Sequence, residues 1–274
     1  MKRILRVFPR RTKATPDDDM AVVGEPSGKY DVDEVHISVT FSWDLPEAER
    51  LERLWRWVAP CKIGGPATGH RGEEFVPGMY VKKGYTITSR GCNNKCWFCE
   101  VWKRDGKIRE LPIRPGYNVL DDNILSTSLW HQKSVIAMLK DQKKLGHRVE
   151  FTGGLEAALL SEWHIKALRD LRPKQMFFAY DTPDDWDPLN RAAGMLREAG
   201  WTYNTLRCYV LCGWPKDSKE DADRRLTSVW NLGITPMAML YRDKLGKVDS
   251  EWKKFQRLWA RPALIKSRMK ASPS

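Results

Sequence analysis

Cys92, Cys96 and Cys99 are the residues whose type and spacing point most directly to chemistry. They fall in the run Thr-Ser-Arg-Gly-Cys-Asn-Asn-Lys-Cys-Trp-Phe-Cys, residues 88–99, with the spacing CxxxCxxC. A cubane [4Fe–4S] cluster ordinarily takes four thiolates, so three on one loop leave one iron open to another ligand. An open metal position marks a reactive centre rather than a scaffold. The competing reading is zinc, with a histidine such as His131 as fourth ligand. Structural zinc sites usually pair two cysteine knuckles, and this sequence has one.

Other polar and glycine residues sit where strands should end. They are the run Asp121-Asp122-Asn123, the pair Gly153-Gly154 with Glu156 beyond it, Asp181, and Gly213-Trp214-Pro215. Each also has a plain structural reading. Asp121 and Asp122 could be loop acids or helix caps, Gly153-Gly154 a turn, and Asp181 the start of an Asp-Thr-Pro turn. Cys208 and Cys212 share one strand face, as inward-facing ligands or as small core residues. Cys61 reads as structural.

The elements that would position these residues follow from periodicity. Ile4 to Phe8 and Val35 to Trp43 read as strands, Pro46 to Val58 as an amphipathic helix, and the run Cys61-Lys-Ile-Gly-Gly-Pro-Ala ends a third strand. Residues 11–32 are polar and read as loop, and residues 65–80 as a Gly/Pro linker. From Tyr80 onward strands and helices alternate. Strands are expected over Tyr85–Ser89, Asn118–Leu125, Arg148–Thr152, Met176–Tyr180, Leu206–Cys212 and Pro236–Tyr241. Helices are expected from Leu129 to Leu145, from a Ser161 cap to Leu171, from an Asp187 cap to Gly200, and from a Ser218 cap to Gly233. Trp252, Phe255 and Trp259 mark a last amphipathic helix before a basic tail. This alternation predicts an α/β fold, a partial (β/α)6 TIM-like barrel over residues 80–245. It is preceded by a short βαβ-like extension, residues 1–79, and followed by a C-terminal helix and tail, residues 246–274. In such sheets ligands bind beyond the carboxyl ends of the strands, where the polar residues fall.

The cysteine run after a strand, with Phe98 before its last cysteine, resembles the radical S-adenosylmethionine (radical SAM) superfamily, over roughly residues 80–243. It is similar to small members related to the cobalamin-associated branch. The resemblance implies that Cys92, Cys96 and Cys99 ligate a [4Fe–4S] cluster whose free iron binds S-adenosyl-L-methionine. Reductive cleavage then yields a 5′-deoxyadenosyl radical that abstracts hydrogen from an unidentified substrate. Phe98 matches an aromatic position beside the adenine. Either Gly153-Gly154-Leu155-Glu156 or Asp121-Asp122-Asn123, with Asp122 central, matches the run that contacts the SAM amino group. Asp181 matches an acid near the ribose or methionine, and Gly213 lies in the run that meets the adenine. Arg207 is placed to pair with the SAM carboxylate. The Asp-x-His-x-x-Gly run that ligates cobalamin is absent, so cobalamin is not expected. An electron donor such as flavodoxin or ferredoxin is implied.

The chain has 274 residues, enough for one large core or one core plus an appendage, and its 42% hydrophobic residues suit a globular protein. Its net charge of +12 favours polyanionic partners. Nucleic acid is one such partner, and a lysine-rich solvated surface is the simpler reading. The 13 tryptophans fit packing better than base stacking. The alternative function is therefore a zinc- or Fe–S-stabilised nucleic-acid-binding protein without catalysis. No apolar run reaches the ~20 residues of a membrane span, and a cytoplasmic location is expected.

Overall fold

The computed structural model describes residues 2–69, 75–243 and 245–271; residues 70–74 of the expected linker lie outside them. Two parallel sheets organise the chain, each with its own hydrophobic core.

The first sheet contains β1 (Ile4–Phe8), β2 (Ala21–Val23), β3 (Glu34–Ser38) and β4 (Cys61–Gly64), in the order β2-β1-β3-β4. All its pairings are parallel. Helix α1 (Leu45–Trp55) carries the chain from β3 to β4 and lays Ala48, Leu51 and Trp55 against Leu5, Val7, Val35 and Ile37. Each such fully buried aliphatic side chain contributes roughly 1.5–3 kcal/mol. Trp55 is fully buried, and its Nε1 donates to the Gly24 carbonyl at 2.9 Å, so the indole leaves no unpaired donor. Strand β2 corrects the expectation that residues 11–32 are loop. Three residues are too few to display a period, and only pairing with β1 makes them a strand. The extension is thus a four-stranded sheet rather than one βαβ unit.

The second sheet begins with β5 (Tyr85–Thr86). A small antiparallel ladder follows, β6 (Ser89–Arg90) with β7 (Arg109–Glu110), which encloses the cysteine loop and the one-turn helix α2 (Val101–Arg104). Sequence periodicity had joined β5 and β6 into one strand. They separate because the Thr88 backbone N–H, at 2.6 Å, donates to Asp121 instead of to a strand neighbour.

The chain continues through β8 (Asn118–Val119), α3 (Leu129–Lys144), β9 (Glu150–Phe151), α4 (Glu162–Leu171) and β10 (Gln175–Tyr180). It closes with α5 (Trp186–Glu198), β11 (Leu206–Cys212), α6 (Lys219–Asn231), β12 (Thr235–Leu240), α7 (Ser250–Leu258) and α8 (Pro262–Ala271). The sheet order is β12-β11-β10-β9-β8-β5, all parallel and without reversal. Its edge strands β5 and β12 do not pair, so the sheet is open.

Sequential order with right-handed crossovers stacks the helices on one face. Along β11, Cys208, Val210 and Cys212 join the helix-side core, whereas Tyr209 stacks on Phe177 on the other face at 4.9 Å. Cys208 and Cys212 are fully buried, the core placement that one of the two readings gave them.

Two helix ends differ from expectation. Helix α5 starts at Trp186, not at an Asp187 cap, because Thr182 and Asp185 form a capping box over a 3₁₀ turn just before it. The basic tail forms α8 through Ala271. Ile265 is buried, and Arg268 donates to Asp223 at 2.7 Å. No described helix is long and apolar enough to cross a membrane.

Candidate cysteine-loop site

The cysteine loop leaves the sheet through a tightly built neck. Gly91 has φ +90°, and a Cβ there would lie 2.4 Å from the Lys107 carbonyl oxygen. Only glycine meets both demands. The Cys92 N–H donates to Gly106 O at 3.1 Å, and the Ile108 N–H to Asn93 Oδ1 at 3.3 Å. Within the loop, Trp102 Nε1 donates to Cys96 O at 2.9 Å, and the Cys99 N–H to the same carbonyl at 3.1 Å. These bonds let a polar loop keep three thiols at fixed places on a short chain.

All three thiols are free and half-buried. Burial pushes Cys96 up to about 11, reinforced by the charges of Cys99, Asp185, Cys92 and Asp181. Burial likewise raises Cys99, against a lowering from the Val101 N–H. The three sulfurs therefore lie within electrostatic reach of one another. Among the described residues, no three His, Cys, Asp or Glu side chains are close enough together to hold a metal ion. Cys92 Sγ accepts from the Asn94 N–H and from Asn123 Nδ2, both at 3.4 Å. Such N–H donors are the outer partners that tune a cluster thiolate. Three free thiols thus share this loop, and one of them accepts two N–H bonds.

The two acids of Asp121-Asp122-Asn123 build the neck. Asp121 is buried and accepts from the Thr88 N–H and Oγ1, each at 2.6 Å, and from Ser89 Oγ at 2.7 Å. Burial raises its pKa against these bonds. Thr88 Oγ1 also lies 3.2 Å from His131 Nε2, so the structure turns His131 to this network. Asp122 accepts from Arg90 Nη1 and the Gly91 N–H, both at 3.0 Å. Both bonds tie its carboxylate to the neck, and the residue also lines the cleft beside it.

Asn123 is the residue that sequence reasoning underweighted. Besides Cys92, its Nδ2 donates to Glu156 Oε2, which Ser126 Oγ also approaches at 3.4 Å. Its Oδ1 is buried without a hydrogen-bond partner among the described residues. Gly153 makes this meeting possible, since a Cβ there would lie 2.3 Å from Asp121 O. Gly154 has φ +107° and open space around it. The two runs that competed for one role are thus neighbours: Gly153 packs on Asp121, and Glu156 reaches Asn123. The only sequence signal was that both follow strands adjacent in the sheet.

Across the rim, Asp181 Oδ1 accepts from the Leu211 N–H at 3.0 Å. Burial, with Asp185 adding to it, pushes Asp181 up to about 7. Gly213 has φ +80° and donates its N–H to Asp217 Oδ2 at 2.7 Å. Arg225 holds Asp217 at 3.0 Å and lies over the Trp214 ring at 4.5 Å. Gly213, Trp214, Tyr241 and Trp252 line a hollow of about 300 Å³. Phe98 is half-buried beside Trp97, edge to face at 5.4 Å. Trp97 in turn meets Tyr241 at 5.9 Å and Trp214 at 6.3 Å. Arg207 is not brought to this rim. It lies near the start of β11, at the opposite end of the strand, and its Nη1 donates to Tyr203 O at 2.5 Å.

Comparison of the chain with protein-family models, with curated proteins and with solved structures yields no match.

Proposed function

We propose that the protein is a radical SAM enzyme whose core is a partial (β/α)6 barrel. One observation carries the reading: a loop with three free thiols stands at the carboxyl end of the first strand of a sequential parallel sheet, tied through Asn123 to Glu156 after the third. The loop after the first strand reaches the residue just past the last, Trp97 meeting Tyr241 at 5.9 Å, so the cysteine loop and the far end of the sheet share one rim.

Cys92, Cys96 and Cys99 would hold a [4Fe–4S] cluster. When bound, it would supply the low-potential electron that cleavage of the SAM sulfonium needs. The chain's own groups bind and shield. Glu156, beside Cys92 through Asn123, offers a carboxylate to an ammonium group. Asp181 holds its proton up to about pH 7 and can donate a hydrogen bond there. Trp97, Trp214 and Tyr241 gather their rings at this rim. A flavodoxin- or ferredoxin-type donor would supply the electron.

Anaerobic reconstitution followed by reduction with SAM tests the reading. About four irons per chain and release of 5′-deoxyadenosine are expected, both lost in Cys92→Ala. A protein that retains full iron in Cys92→Ala, or that binds zinc alone, sinks it.

A further inference from the structure

The first sheet reverses its strand order between β1 and β3: the chain leaves β1 toward β2 on one side and β3 toward β4 on the other. The loops after β1 and β3 therefore diverge and open a crevice beyond their carboxyl ends, the place where open α/β sheets take ligands. A cleft of about 710 Å³ lies there. Residues after β1 and β3, such as Arg10 and Phe41, line one side, and Arg90, Val101 and Arg104 from around the cysteine loop line the other. The volume suits a small organic molecule.

The polar lining is unbalanced. Four arginines, Arg10, Arg90, Arg104 and Arg109, face three aspartates, Asp44, Asp105 and Asp122. Arg10 pairs with Asp44, and Arg90 with Asp122 at 3.0 Å. Asp105 serves two guanidinium groups at once, Arg104 Nε at 2.6 Å and Arg109 Nη2 at 3.2 Å. The terminal nitrogens of Arg104 and the Nη1 of Arg109 have no acceptor among the described residues. Arg104 is only 16% exposed, so the surplus positive charge is partly shielded from water. Beside these groups stand rings: Phe41 under Arg10 at 5.8 Å, and Phe75 stacked on Tyr80 at 5.0 Å.

We propose that this cleft binds a nucleoside monophosphate, its phosphate on Arg104 and Arg109 and its base against the aromatic wall. A phosphate monoester brings the negative charge that Asp105 alone does not supply, and guanidinium forks match its oxygens. The site depends on the cleft and its arginines, not on the cluster, so it stands or falls separately from the proposed enzyme activity.

Titration calorimetry of the full chain with uridine monophosphate tests it, a pyrimidine being used to avoid the adenine of SAM. The expected results are saturable binding, loss of at least about 10-fold in affinity for both Arg104→Gln and Arg109→Gln, and much weaker binding of uridine. Cys92→Ala should bind the nucleotide as the wild type does. Arg10→Gln, at a more exposed position, should weaken binding and keeps the test open if a buried arginine variant misfolds. Absence of binding at millimolar nucleotide overturns the proposal. So does equal affinity in folded arginine variants, or uridine binding as well as its phosphate. Binding of an oligouridylate but not of the mononucleotide overturns it in favour of a polymer.

Discussion

Asn123 Nδ2 lies 3.4 Å from Cys92 Sγ while also donating to the Glu156 carboxylate. One amide thus joins the cysteine loop to the Glu156 carboxylate. Either partner that shifts loses its bond to Asn123, so the amide positions both.

Asn123→Ala should therefore leave the three cysteines able to take up iron but lower the yield of 5′-deoxyadenosine by roughly 10–100-fold, the usual cost of losing such an outer partner. Iron content and the reduced cluster's EPR signal separate the outcomes. Unchanged turnover with an unchanged signal would show that the bridge positions nothing.

The neck of the loop should be intolerant of side chains. Gly91→Ala combines φ +90° with a contact at 2.4 Å to the Lys107 backbone. Strain of about 1–3 kcal/mol is expected from the backbone conformation alone. It should appear as a Tm loss of roughly 2 °C or more together with reduced iron uptake. Wild-type melting and iron content in the variant would contradict the packing described.

Asp181 should make stability depend on pH. Its carboxyl ionises near 7 in the fold, against an ordinary value of 3.8. The unfolded chain therefore gives up this proton first. The stabilising share of the neutral acid is complete below about pH 4 and is lost as pH rises through about 7. Asp181→Asn should raise the Tm of cluster-free protein at pH 8 by roughly 3 °C or more and change it little at pH 4. An equal shift at both values would mean that ionisation is not the cause.

The buried cysteines should behave unlike the loop cysteines. Cys208 is fully buried in the helix-side core. Cys208→Ser buries a hydroxyl and should cost about 1–3 kcal/mol by denaturant unfolding with iron content unchanged. Cys96→Ser should do the reverse, losing iron at little cost in stability. Iron loss in Cys208→Ser would instead make it a ligand.

Much of this was legible locally. The caps Ser161 and Ser218 and the spans read from periodicity marked α3, α4 and α6 to within a residue or two, because such caps act by contacts that span three residues. β11 was legible whole, its seven residues spanning Leu206 to Cys212. The cysteine spacing likewise depends only on neighbours along the chain. Tertiary structure decided what depends on distant partners. β2 exists only beside β1. Asp122 looked free to meet a ligand, but Arg90 and Gly91 claim its carboxylate. Arg207 has a side chain suited to a carboxylate but occupies the wrong end of its strand. The Asn123 bridge and the arginine cleft join segments more than 30 residues apart in sequence. Spacing in sequence reports which side chains share a turn or a strand face; only the folded sheet order sets which strand ends meet, and the chemistry resides where they do.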